Sequence, residues 1–121
     1  MELIQVQAAG RQVIERYAAS GFRISGAIYK GPVLVFPDRA MAWDNAAMTA
    51  EALMPVAEHG GVELLLLGFG RRLQPVAAAL RAALKTEGIA VEGMDTGAAC
   101  RTYNVLLAED RRVAAALLPA A

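Results

Sequence analysis

The chain has 121 residues, a length that suits one hydrophobic core and is short for two. Twelve basic residues balance twelve acidic ones, so no net field draws it toward nucleic acid or an anionic membrane, and neither is expected as a partner. The single cysteine, Cys100, and the single histidine, His59, exclude a disulfide framework and every cysteine-based zinc spacing; no metal or cofactor is expected. The core must be aliphatic, because 56% of residues are hydrophobic and only 6% aromatic.

The N-terminal stretch MELIQVQAAGRQVIERYAA lacks an uninterrupted apolar segment of signal-peptide length, and Glu2 and Glu15 argue against a transit peptide. No apolar run approaches the roughly 20 residues that span a bilayer. A soluble, cytoplasmic protein is the expectation. From Phe22 to Trp43, brief apolar runs broken by Gly and Pro predict a β-meander of Phe22–Ile24, Ala27–Tyr29, Val33–Phe36 and Met41–Trp43, with Pro37 ending the third strand. Phe36, Met41 and Trp43 are read as core in a chain so poor in aromatics, rather than as an exposed patch.

After Asn45 the period changes, and Ala46, Ala50, Leu53, Met54 and Ala57 predict a helix stopped by His59-Gly60-Gly61. Val62–Leu67 is an apolar run of strand length, expected at the sheet centre with both faces covered. Pro75 can open a helix marked by Val76, Leu80 and Leu84 and stopped by Gly88. Ile89, Val91 and Met94 then mark a second parallel strand, giving a strand–helix–strand unit. Asp95 or Thr96 can cap a further helix with core positions Ala99, Tyr103, Leu106 and Leu107. The tail Arg111–Leu118 reads either as helix, from its alanines, or as a buried strand.

Two turns carry the candidate site. Gly68-Phe69-Gly70-Arg71-Arg72 follows the central strand, and in open α/β sheets ligands collect beyond such carboxyl ends. It is neither a dinucleotide fingerprint, since Leu73 stands where a third glycine is needed, nor a phosphate loop, since Gly-Lys-Ser/Thr is missing. Asp95-Thr96-Gly97-Ala98-Ala99-Cys100-Arg101 follows the next parallel strand and should share that edge. Its small residues could leave a helix N-terminus open to an anion, with Arg71 and Arg101 adding charge. The plainer alternative is that the glycines permit tight turns, Asp95 or Thr96 caps the helix, and the arginines are solvated. Cys100 has neither a base nor an oxyanion site in the sequence around it, so it is read as a packed thiol.

The segments Phe22-Arg23-Ile24, Tyr29-Lys30-Gly31, Trp43, Leu66–Gly70, Met94–Asn104 and Arg111–Leu117 together resemble the Mth-like domain family of unknown function. The resemblance runs from about residue 20 to 118, and Thr96–Asn104 is its most specific block. Members include a mitochondrial complex I assembly factor and an adipogenesis-associated protein. The resemblance implies a single α/β domain over 1–121 in three layers. A mixed five-stranded central sheet has helices on its faces, added β structure precedes it, and a last strand antiparallel to its neighbours makes the tail a strand. The family commonly has a small hydroxyl residue between the turn glycines, where this chain has Phe69, whose ring could narrow a crevice at that edge.

Two functions are weighed. The first is a non-enzymatic interaction or assembly protein with a protein partner, favoured because no catalytic constellation is complete. The second is a small-anion site or enzyme between the turns, using Gly68, Phe69, Gly70, Arg71, Asp95, Thr96 and Arg101.

Overall fold

The fold, given by a computed structural model, is described for residues 10–120, so the reading of residues 1–9 as free of a targeting leader lies outside the described residues. Three short strands, β1 (Ile14–Ala18), β2 (Gly21–Ile24) and β3 (Ala27–Lys30), form an antiparallel sheet in that order. Ser25 and Gly26, at φ 45° and 86°, join β2 to β3 in a two-residue loop whose positive φ values match the twist of the flanking strands. Ile14, Tyr17, Phe22 and Ile24 turn inward and are buried. A register shift between Ile14 and Arg16 places the inward residues of β1 three apart instead of two. That bulge hides the strand from a period-two reading, and β1 is not among the expected strands.

The remaining strands form a second sheet of order β5-β4-β8-β6-β7, comprising β4 (Val33–Val35), β5 (Ala40–Ala42), β6 (Leu64–Gly68), β7 (Ala90–Met94) and β8 (Val113–Leu117). It is mixed, as the family resemblance implied. Helices α1 (Met54–His59) and α2 (Ala78–Lys85) lie with one core cluster around Leu34, Phe36, Trp43, Leu65, Leu67 and Val91. Helix α3 (Thr96–Ala108) and the inward face of the three-stranded sheet share the other cluster, on the opposite side of the five-stranded sheet.

Four expectations are corrected. The meander is split, since β2 and β3 stay in the small sheet while β4 and β5 join the large one. The helix foreseen from Asn45 spans only Met54–His59. Pro55 lies in its first turn, and a longer helix would set that ring against the carbonyl four residues back. Asn45 at φ 56° also breaks the helical path. Next, β6 is interior but β8 is central. Finally, β8 is antiparallel only to β4 and runs parallel to β6. Its alanines suit the middle of the sheet: Ala114 and Ala116 face one cluster, Val113, Ala115 and Leu117 the other, and all five residues are buried. Small side chains there admit the layers on either side at close range.

Helix α2 begins at Ala78, later than Pro75 suggests, and Val76 instead packs over Gly93 of β7. Trp43 and Phe36 are buried, and the Trp43 indole donates to the Ala52 carbonyl at 3.0 Å. His59 closes α1, stacks on Phe36 with ring centroids 4.1 Å apart, and meets Asp38 at 2.7 Å. The hydrogen bond with His59 is the main reason the Asp38 carboxyl sits below its ordinary range. A group depressed on folding adds stability above its unfolded pKa and loses it as pH falls through the folded value. Asp38→Asn is expected to be less stable than the parent by under about 1 kcal/mol at neutral pH, Asp38 being exposed. Denaturant titrations should show that gap closing below about pH 4.

Candidate functional site

Strands β6, β7 and β8 are mutually parallel, so their carboxyl ends share one edge, and both candidate turns leave from it. Thr96, fully buried at the start of α3, ties that edge together. Its hydroxyl accepts from the Gly70 N–H at 2.8 Å and donates to the Leu118 carbonyl at 2.6 Å. Its own N–H donates to the Gly70 carbonyl at 2.8 Å. The Leu118 N–H reaches the Gly68 carbonyl at 3.0 Å, and the Phe69 N–H reaches the Met94 carbonyl at 2.9 Å. Asp95 caps α3 by accepting from the Ala98 N–H at 3.0 Å.

The two turns therefore come together, as parallel topology required, but they meet as a knot. Of the backbone donors expected to face an anion, the N–H groups of Gly70, Thr96 and Ala98 already have protein acceptors. Gly68 is closed in as well: a Cβ there would lie 2.8 Å from Leu117 Cδ2 and 3.2 Å from Thr96 Cα. Phe69 is half-buried, and its ring covers Gly93 with Val76 and Leu73 on the α2 side of the sheet, away from Thr96. Arg71 and Arg101 are exposed.

The start of α3 is covered by a residue that motif reading passed over. A Cβ on Gly97 would lie 2.6 Å from the Tyr17 hydroxyl oxygen and 3.3 Å from an Arg101 guanidinium nitrogen. Helix propensity favours Gly97→Ala by about 1 kcal/mol. Overpacking a closed site costs about 1–3 kcal/mol, and Tyr17 is anchored in the core. Sterics should win. Thermal melts are expected to show a lower midpoint for Gly97→Ala, and an unchanged or higher one would place Tyr17 elsewhere.

Cys100 is buried, and loss of solvation pushes its thiol up to about 12. A thiolate nucleophile is thereby disfavoured. Native protein should react with a thiol-specific disulfide reagent only at the rate of unfolding, and fast stoichiometric labelling without denaturant would contradict the burial. Tyr103, also fully buried, donates to the Gln12 carbonyl at 3.0 Å, and desolvation raises its pKa. Beside it, Asn104 accepts from the Ile14 N–H at 3.0 Å and donates to the Ile14 carbonyl at 2.7 Å. Its amide mimics a strand neighbour and joins α3 to β1. Asn104 was part of the resemblance, but nothing in a single sequence tells a buried amide from a solvated one.

Among the described residues no group of three or more His, Cys, Asp or Glu could hold a metal ion, and no helix is long and apolar enough to cross a membrane. A concavity of about 560 Å³ beside Met41, Trp43 and Asp44 and another of about 350 Å³ on the outer face of the three-stranded sheet are lined by none of the candidate turn residues.

The chain and its fold have counterparts among known proteins. Residues 14–118 match the family model described as protein of unknown function (DUF498/DUF598), and the chain belongs to that family. An uncharacterized protein of Rhodobacter capsulatus is 42% identical over 115 residues, covering 92% of this chain and 87% of the relative. NADH dehydrogenase [ubiquinone] 1 alpha subcomplex assembly factor 3 of Danio rerio is 36% identical over 123 residues, covering 98% of this chain and 71% of that protein. Among solved structures, one described as an outer membrane protein from Bartonella henselae superposes with a TM-score of 0.84 at 36% identity, covering 95% of this chain and 100% of that one. A Bordetella pertussis protein described as an Mth938-like domain gives 0.79 at 28% identity, covering 98% and 92%. The Mth-like resemblance read from the residues is thus shown, together with kinship to a complex I assembly factor.

Proposed function

We propose that this protein is a non-catalytic, assembly-type protein that works by binding partner polypeptides. The observation that carries the reading is similarity to assembly factor 3 over 98% of this chain, which puts the compared region across the whole fold. The site chemistry agrees. Thr96 and the turn amides hold the sheet edge together, and Cys100 is desolvated. A small anion at the turns, held in part by the side chains of Arg71 and Arg101, is the second reading, and no observation favours it over the first.

The test is capture of the tagged chain at near-native expression in its own cell, with crosslinking and mass spectrometry. A reproducible set of protein partners is expected, with subunits of an NADH dehydrogenase complex the first to look for. An empty capture under those conditions would sink the proposal.

A further inference from the structure

We infer that the outer face of the three-stranded sheet is the docking surface for an acidic polypeptide segment of a partner protein, held by Arg16, Arg23 and Lys30 around the exposed Ile28. This rests on the reading of the chain as a partner-binding protein, and adds where the partner sits and what chemistry recognises it.

Strand alternation decides what this face presents. With Tyr17, Phe22 and Ile24 buried beneath the sheet, Arg16, Arg23, Ile28 and Lys30 are left outside and exposed. The register aligns them: Arg16 lies opposite Arg23, Arg23 opposite Ile28, and Lys30 opposite Gly21. Two like charges directly opposite one another destabilise a strand pair, so folding gives no reason for the Arg16–Arg23 pairing. Protection of a sheet edge explains Lys30 on β3, but not Arg23 on the middle strand.

Counter-charge on the face is sparse. Glu15 lies 3.3 Å from the Arg23 Nε and also accepts the Gly26 N–H at 2.7 Å. Arg16 and Lys30 have no carboxylate partner among the described residues. In a chain of zero formal net charge this is a local excess of cations. At its centre Ile28 is 69% exposed. The concavity of about 350 Å³ beside it keeps a bare floor at Gly21, where a Cβ would strike the Tyr29 carbonyl oxygen.

The occupant follows from what the face offers and lacks. Guanidinium forks match carboxylates, and Ile28 adds an apolar anchor, a pairing suited to an acidic segment with an apolar residue at its middle. Single-stranded nucleic acid needs aromatic platforms, and here Tyr17 and Phe22 face the core, while half-buried Tyr29, paired with Phe22, packs against that same core from the concavity's margin. A membrane surface calls for a denser basic cluster than three cations around one apolar side chain.

The experiment places photoreactive p-benzoylphenylalanine at position 28 of the full chain in its own cell, and separately at exposed Leu73 and Val105, with the crosslinked peptides sequenced. The expected product at position 28 is a partner segment rich in Asp and Glu. Synthesised, that segment should bind the R16E/K30E double variant about tenfold or more weakly than the parent, with affinity falling as salt rises, while K85E on α2 binds like the parent. Circular dichroism of R16E/K30E should match the parent, since all the altered side chains are exposed. Crosslinks from positions 73 or 105 but none from 28 would overturn this surface and leave the partner-binding reading standing. Silence at all three positions would bring down both. Lipid or nucleic acid at position 28, or a segment indifferent to charge reversal, would overturn the acidic polypeptide.

Discussion

Replacing Asn104 by Leu is expected to cost about 2–5 kcal/mol of stability. Both amide atoms bond the backbone of Ile14, at 3.0 Å and 2.7 Å, and both partners are buried. A leucine of similar shape keeps the packing and leaves a buried N–H and a buried C=O unmet, each at about 1–3 kcal/mol. Urea titration reads the loss. Hydrogen exchange at the Ile14 amide should rise further than at β6, because β1 loses its tie to α3 while the large sheet keeps its ladders. The variant should therefore also loosen the face that carries Arg16.

Asn104→Asp sharpens the test through its pH dependence. A neutral carboxyl can both donate and accept at Ile14, whereas a carboxylate can only accept and must be desolvated. Burial raises the folded-state pKa above the unfolded value near 4, so the folded state binds the proton more tightly. Stability is then greatest in acid and falls as pH rises beyond the unfolded pKa. A variant whose destabilisation is independent of pH would show that the residue at 104 is not enclosed.

Thr96→Val should cost about 2–4 kcal/mol, with Thr96→Ser close to the parent. Valine matches the shape but removes the acceptor for Gly70 N–H and the donor to the Leu118 carbonyl, at 2.8 Å and 2.6 Å. Serine keeps the hydroxyl. If valine were tolerated as well as serine, the knot would be incidental to stability, and a free threonine available to a ligand would regain force. The contrast separates a structural hydroxyl from a ligand-facing one without knowing the ligand.

The turns show how far motif reading reached. Parallel topology puts Gly68–Gly70 and Asp95–Arg101 on one edge, as the structure has them, and Asp95 is one of the two caps the sequence offers. Whether that edge opens to solvent depended on Leu118, which returns after β8 to accept from Thr96. No local pattern encodes that return. The bulk of Phe69 is plain from its residue type, but its side of the sheet depends on strand register, and it fills the α2 face. The basic face was illegible for a related reason. Arg16 and Arg23 are seven residues apart in the chain and become neighbours only when β1 and β2 pair across a bulge.

Periodicity and turn chemistry alone delivered β2, β3, β4, β6, β7 and α3 to within a few residues, because each is local: alternating burial, a glycine or proline stop, a capping aspartate. The same local terms misjudged the segment from Asn45, where Pro55 and a left-handed asparagine override the helical spacing of alanines. They left β8 open, since Val-Ala-Ala-Ala-Leu has helical composition and becomes a strand only with β4 and β6 on either side and covered faces above and below. Hydrogen bonds between segments far apart in the chain decided the rest. They set β8 parallel to one neighbour and antiparallel to the other, closed the edge through Thr96, and hung the small sheet on Asn104. A strand's direction and a hydroxyl's partner are properties of what lies across from them, and the chain order does not record that.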